Sequence, residues 1–248
     1  MQGMMNTGKP DSAQCRADRS KRNQISMNKT TPSFSHRRPP LVLLHGLGQR
    51  ADSWKPVIRH LSAQTPVIAA DLGEYMTDQE ASFERLAALL ERSLETLQEP
   101  ADIAGLSLGA VLALDYALSH PDKTRSLILI APQYKMPKGL LRVQNAVFTV
   151  LPERMFSGTG LLKTQMKSLT SSMMQLDYTE KLKNLVCPVL VVVGSKDRAN
   201  RKAAQKLTAL LPQARLVVME GSGHEVNRDD PARLAGMMRR FLGELSRM

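Results

Sequence analysis

The chain has 248 residues, 42% of them hydrophobic, and contains no apolar run long enough to cross a membrane. Its formal net charge of +11 is local: residues 1–38 hold eight Lys/Arg against two Asp, residues 133–187 hold eight against three acidic residues, and the remainder balances at 18 each. With only 4% aromatic residues to stack on bases, this pattern excludes a general nucleic-acid binder.

Residues 1–38 are polar and basic, without apolar periodicity, and bury too little surface to offset their ordering entropy; they are expected to be a disordered extension. They lack the apolar core of a secretory signal, which leaves an Arg-rich presequence or initiation at Met27 as readings. The two cysteines, Cys15 in this tail and Cys187 before Pro188, do not form a disulfide framework, and a cytoplasmic location is expected.

Order begins at Arg38-Pro39-Pro40, and residues 39–248 are expected to form one domain. A strand over 41–44 (LVLL) runs into His45-Gly46-Leu47-Gly48, and Trp54 follows. A second strand, 66–70 (PVIAA), ends at Asp71. Residues 82–97 carry Phe83, Leu86, Leu90, Leu94 and Leu97 at helical spacing and stop before Pro100. A strand from 101 enters Gly105-Leu106-Ser107-Leu108-Gly109, and a helix over 108–119 ends at His120-Pro121. Residues 126–131 (SLILIA) form the next strand. After an interruption over 133–187 come a strand at 188–193 (PVLVVV), a helix at 201–211, a strand at 216–219 (LVVM) and an amphipathic helix from Asp230-Pro231. Six strands without polar alternation, separated by helices, predict a parallel sheet covered on both faces, an α/β/α sandwich.

In such a sheet ligands bind beyond the C-terminal ends of the strands, and four loops there carry the chemistry. A serine between two glycines is often only a small turn residue. Here the glycines also let a strand turn sharply into a helix and expose Ser107 at the helix N-terminus. His224, in Glu220-Gly221-Ser222-Gly223-His224, sits on a glycine-flanked loop where an imidazole can act on a ligand, although loop packing is the plainer alternative. Asp197, in Gly194-Ser195-Lys196-Asp197, would alone be an ordinary turn residue. The order Ser107, Asp197, His224, each after a different strand, is that of an acid orienting a histidine that activates a serine. Leu47, in the glycine-bracketed HGLG loop, and Leu108 offer backbone N–H groups for a developing oxyanion, while His45 reads as structural.

These motifs, HGLG, GLSLG, GSKD and GSGHEVNRDDP in that order, resemble the α/β-hydrolase superfamily over residues 39–248. The resemblance implies a minimal six-stranded version of that fold, because no recognisable strand precedes LVLL. Two further departures, LGEYMTD after Asp71 and Leu108-Gly109-Ala110 at the elbow, leave the subfamily open. It also implies that residues 133–187 form a small helical cap. There Leu140, Leu141, Val143, Val147, Phe148, Leu151, Met155, Phe156, Met166, Met173 and Met174 either line a pocket or pack the cap onto the core. Tyr134, Leu141, Phe148, Met155 and Met166 are the candidate substrate contacts. Lys135, Lys138, Arg142, Lys163 and Lys167 either meet an anionic part of the substrate or form a solvated face.

The expected activity is hydrolysis of a small, largely apolar carboxylic ester or thioester through an acyl-enzyme on Ser107, with no metal or cofactor. Acyl transfer, carbon–carbon bond hydrolysis or a lyase reaction on the same residues, and a ligand sensor of low turnover, are the alternatives. Association of the basic extension with a membrane surface is a further reading; the oligomeric state stays open.

Overall fold

The computed structural model describes residues 38–73, 81–156, 158–159 and 161–247, together with the backbone of residues 27–30. Six strands run parallel, at the positions the apolar runs predict: β2 (Leu41–Leu44), β3 (Val67–Ala70), β4 (Ala101–Leu106), β5 (Thr124–Ile130), β6 (Val189–Gly194) and β7 (Ala214–Met219). A seventh, β1 (Met27–Thr30), lies antiparallel to β3 at one edge, giving the order β1-β3-β2-β4-β5-β6-β7. The sequence reading leaves β1 out because MNKT has no apolar alternation; pairing of its backbone with Val67–Ala70 makes it a strand. Disorder over the whole of 1–38 is therefore corrected at these four residues, and the rest of that expectation, over 1–26 and 31–37, lies outside the described residues.

The strands have no polar face because both faces are covered, and their period of two divides the core. Val42, Leu44, Ile103, Leu127, Leu129, Val189, Val191 and Val193 point to one side, into a cluster with the helices α2 (Phe83–Leu94), α3 (Leu108–Ser119) and α6 (Arg198–Leu210). Leu41, Leu43, Ala104, Ile128, Ile130, Leu190 and Val192 point to the other, against Trp54, α1 (Lys55–Ile58) and α8 (Pro231–Leu245). The short helix α7 (Val226–Asp229) precedes α8. α3 is apolar nearly all round, with nine buried residues, as a helix enclosed between sheet and insert must be.

Residues 133–187 leave the sheet after β5 and carry α4 (Lys138–Val150) and α5 (Lys163–Ser172). Their root is closed by backbone bonds from Met136 N–H to the Leu176 carbonyl (3.0 Å) and from Tyr178 N–H to the Tyr134 carbonyl (2.8 Å), with a Lys135–Asp177 ion pair at 2.8 Å. Asn145 on α4 donates to Ser171 Oγ on α5 at 2.9 Å.

β4 and α3 meet more closely than side chains permit. A Cβ on Gly105 would stand 2.1 Å from the Gly109 carbonyl oxygen, and one on Gly109 would stand 2.2 Å from that of Leu44. Because the obstructing atoms are backbone, relief requires α3 to move off the sheet. Gly105→Ala is therefore expected to lower stability by about 2–3 kcal/mol, read as a lower urea midpoint at unchanged m-value.

Candidate active site

Ser107 is the single residue between the end of β4 and the start of α3. Its φ of 53° is a conformation a side-chain-bearing residue adopts at a cost of about 1–3 kcal/mol. The surrounding backbone holds it there: its N–H donates to the Ile130 carbonyl at 2.9 Å, and its carbonyl accepts from Ala110 and Val111 at 3.0 and 3.1 Å. The consequence is a hydroxyl raised off the sheet edge at a helix N-terminus, facing a cleft.

Asp197 follows β6 and His224 follows β7. Their loops are joined by backbone contacts before their side chains meet. Ser195 N–H donates to the Met219 carbonyl (2.9 Å) and Lys196 N–H to that of Ser222 (3.0 Å), while a Cβ on Gly194 would lie 2.0 Å from the Gly223 carbonyl oxygen. This brings Asp197 Oδ2 to 2.7 Å from His224 Nδ1. The Asp197 side chain is 5% exposed and the His224 ring 44%. Asp197 raises the His224 pKa above its ordinary value, outweighing the opposing effect of burial. Burial pushes the Asp197 carboxyl up, but hydrogen bonds from His224 and Asn200 outweigh it and hold the carboxyl below its usual range. With Nδ1 engaged, Nε2 is the ring nitrogen left without a partner among the described residues, and it shares the cleft with Ser107.

The sequence reading passes over Asn200. Its Nδ2 lies 2.9 Å from each oxygen of Asp197, and its Oδ1 accepts from Gln133 Nε2 at 2.7 Å. The signal is the spacing: Asp197 caps α6, accepting from the Asn200 N–H at 3.3 Å, and the third residue of a capped helix folds back over its cap. A second amide cluster ties the HGLG loop to α7. Gln49 Oε1 accepts from the Gly46 N–H, Ser53 Oγ and Asn227 Nδ2 at 3.4, 3.2 and 3.2 Å, and all three side chains are buried. Leu47, inside that loop, and Leu108, first in α3, line the cleft beside Ser107, and their N–H groups have no acceptor among the described residues. His45 is buried with Nε2 accepting the Leu72 N–H at 2.9 Å, a structural position as expected.

The cleft has a volume of about 540 Å³, and its apolar wall is formed by Val111, Met136, Leu141, Val143 and Met173, with Gln133, Gln144 and Thr170 as polar points. Of the five candidate contacts in the insert only Leu141 lines it. Tyr134 packs at the root of the insert. Phe148 stacks edge-to-face on Phe156 at 5.6 Å, Met155 is 59% exposed, and Met166 is buried in the core. Helical spacing groups these side chains on faces but does not say what each face meets. None of Lys135, Lys138, Arg142, Lys163 and Lys167 lines the cleft either; Lys163 Nζ instead donates to the Thr149 and Leu151 carbonyls, both at 2.7 Å. A second hollow of about 180 Å³, between α2 and α3, shares no lining residue with the cleft. Among the described residues no cluster of His, Cys, Asp and Glu could hold a metal ion, and no helix is long and apolar enough to cross a membrane.

Residues 41–237 match the model of the alpha/beta hydrolase family. A pimeloyl-[acyl-carrier protein] methyl ester esterase of Aliivibrio salmonicida is 26% identical over 220 residues, covering 74% of this chain and 84% of that protein. An (E)-2-((N-methylformamido)methylene)succinate hydrolase of Acinetobacter baylyi is 24% identical over 90% of this chain and 98% of its own length. The crystal structure of the enol-lactonase from Burkholderia xenovorans superposes with a TM-score of 0.75 at 19% identity, covering 88% of this chain and 96% of that one, a likeness of fold. With the match running from β2 into α8, the chain belongs to the alpha/beta hydrolase family of enzymes.

Proposed function

We propose that the chain is a serine esterase that cleaves a small, largely apolar carboxylic ester or thioester through an acyl-enzyme on Ser107. The observation that carries this reading is the 2.7 Å Asp197–His224 contact in the cleft that also holds Ser107. His224 Nε2 takes the proton of Ser107 Oγ as that oxygen bonds to the substrate carbonyl carbon. The carbonyl oxygen becomes an oxyanion, held by the Leu47 and Leu108 N–H groups, and each donor contributes on the order of 3 kcal/mol of transition-state stabilisation. The carbon–oxygen bond to the alcohol then breaks, and the leaving group takes the proton from His224. Water deprotonated by the same nitrogen attacks the acyl-enzyme, and as the bond to Ser107 Oγ breaks His224 returns that proton to it, releasing the acid and free Ser107. Asp197 holds the ring with Nδ1 protonated throughout, and Asn200 holds Asp197.

The cleft wall supports an apolar acyl group, and the position of α4 and α5 over it supports the reading of residues 133–187 as a cap. The five candidate cations of the insert give no support to an anionic substrate end, since none of them lines the cleft. Because the A. salmonicida relative is named for a methyl ester, acyl methyl esters belong beside p-nitrophenyl esters in a substrate panel.

On that panel Ser107→Ala is expected to lower kcat by at least about 10⁴-fold and to abolish labelling by a fluorophosphonate. Full turnover by the variant would overturn the assignment. The base must be neutral, so kcat/KM falls as pH drops through the His224 pKa; with that pKa raised by Asp197, the acid limb lies above pH 6.5. Asp197→Asn removes the largest raising influence, and the limb is expected to move down as the rate falls about 10³–10⁴-fold. Asn200→Ala takes two donors from Asp197 but leaves the histidine contact. Its kcat is expected to fall about tenfold with KM unchanged, and its acid limb to move up as the carboxylate charge concentrates on His224. An unmoved pH profile would show that Asn200 serves only packing.

A further inference from the structure

Outside the cleft the insert carries exposed basic residues, Lys135, Lys138 and Arg142, and an unusual concentration of exposed apolar side chains. Among the described residues seven large hydrophobic side chains are exposed, and five of them, Val143, Val147, Val150, Met155 and Leu162, fall within twenty residues of one another. α4 accounts for three. One of its faces turns Leu141 and Phe148 inward, as a packed helix should. Its opposite face, where polar residues belong, carries Gly139, Val143, Ala146, Val147 and Val150, all exposed and all on one stripe at helical spacing.

The stripe is anchored at both ends. Val143 belongs to the cleft wall, so the stripe begins at the cleft mouth. At the other end Lys163 Nζ donates to the Thr149 and Leu151 carbonyls at 2.7 Å and fixes the last turn of α4, which carries Val150. Over residues 138–167 five basic residues stand against the single acidic Glu153, a net charge of +4. Pairing with a second copy would bring two such cationic faces together. An anionic amphiphile surface answers both properties at once, burying the apolar stripe while its headgroups meet the cationic rim.

We infer that the outer face of α4 docks the protein on an anionic lipid surface with the cleft mouth at the interface. The docking is independent of the esterase reading and is expected to be the same in Ser107→Ala.

The test is co-sedimentation of the full-length protein with vesicles of phosphatidylcholine alone and with about one third phosphatidylglycerol, at low salt and at about 0.5 M salt. Binding is expected to the mixed vesicles at low salt, with weak binding to neutral vesicles and loss of binding at high salt. The double variant Val147→Asn/Val150→Asn changes two exposed positions that do not line the cleft. It is expected to bind about tenfold more weakly while keeping its melting temperature and its turnover of a soluble ester. Absence of binding to the mixed vesicles would overturn the inference. So would undiminished binding by the double variant, which would assign the interaction to the basic residues 1–38. A concentration-dependent dimer that the double variant abolishes would overturn it in favour of a second copy.

Discussion

The arrangement of this site depends on three places where backbone passes backbone with no room for a side chain. Gly105 lies against Gly109, Gly109 against Leu44, and Gly194 against Gly223, each so close that a Cβ would fall within 2.2 Å of a carbonyl oxygen. The first two seat α3 directly on β2 and β4, so that Ser107 has one residue in which to reverse direction and takes its left-handed conformation. The third presses the loop after β6 onto the loop after β7, which sets the reach between Asp197 and His224. Backbone hydrogen bonds hold these contacts, but only the missing side chains allow them. They follow from a parallel sheet whose neighbouring strands release their loops at the same edge, with glycine where the loops cross.

Electrostatics then acts on a geometry already fixed. Among the described residues Asp197 is the one buried carboxylate facing the cleft, and it is shared between His224 and the amide of Asn200, which in turn is held by Gln133. An anion with 5% of its side chain exposed needs such donors, because water cannot supply them. Sharing has a direction. Each donor added to Asp197 stabilises its charge and lessens the pull that charge exerts on the imidazole, so Asn200 tunes the basicity that His224 can reach. The second amide cluster, Gln49 with Asn227 and Ser53, plays the mechanical counterpart, tying the loop that carries Leu47 to the helix that follows His224.

What the sequence made legible follows from the same physics. Runs such as LVLL, SLILIA and PVLVVV are apolar on both faces, which only a covered parallel strand tolerates, and their positions agree with β2, β5 and β6 to within two residues. Ser107, Asp197 and His224 were legible because glycines flank or precede them at strand ends. Met27–Thr30 was not, since its strand character resides in backbone pairing with Val67–Ala70 and leaves no mark in MNKT. Asn200 and Gln133 were not, because an amide in a helix's first turn or after a strand is ordinary until its partner across 67 residues is known. The insert was the least legible part. α4 is apolar on two opposite faces, so periodicity cannot tell Leu141, which reaches the cleft, from Phe148, which meets Phe156, or Val147, which meets solvent. The Leu140 side chain lies outside the described residues.

The absence of the insert's described basic residues from its apolar cleft wall bears on how selectivity would arise. With no lysine or arginine in the cleft lining among the described residues, discrimination there rests on shape and, beside the catalytic candidates and Asn200, on the neutral polar side chains Gln133, Gln144 and Thr170. A hydrophobic wall separates acyl groups by only about 1–3 kcal/mol per methylene, so it favours a class of substrates over a single one. Gln133 differs from the other two in that its amide N–H already supports Asn200. A ligand that drew the Gln133 side chain away would loosen the support of Asp197, whereas one that used only its free carbonyl oxygen would leave the chain of hydrogen bonds to His224 intact. In the proposed mechanism the cleft thus favours substrates that donate to Gln133, or pass it by, over those that compete for its N–H, and this selection acts on the rate of acylation as well as on binding.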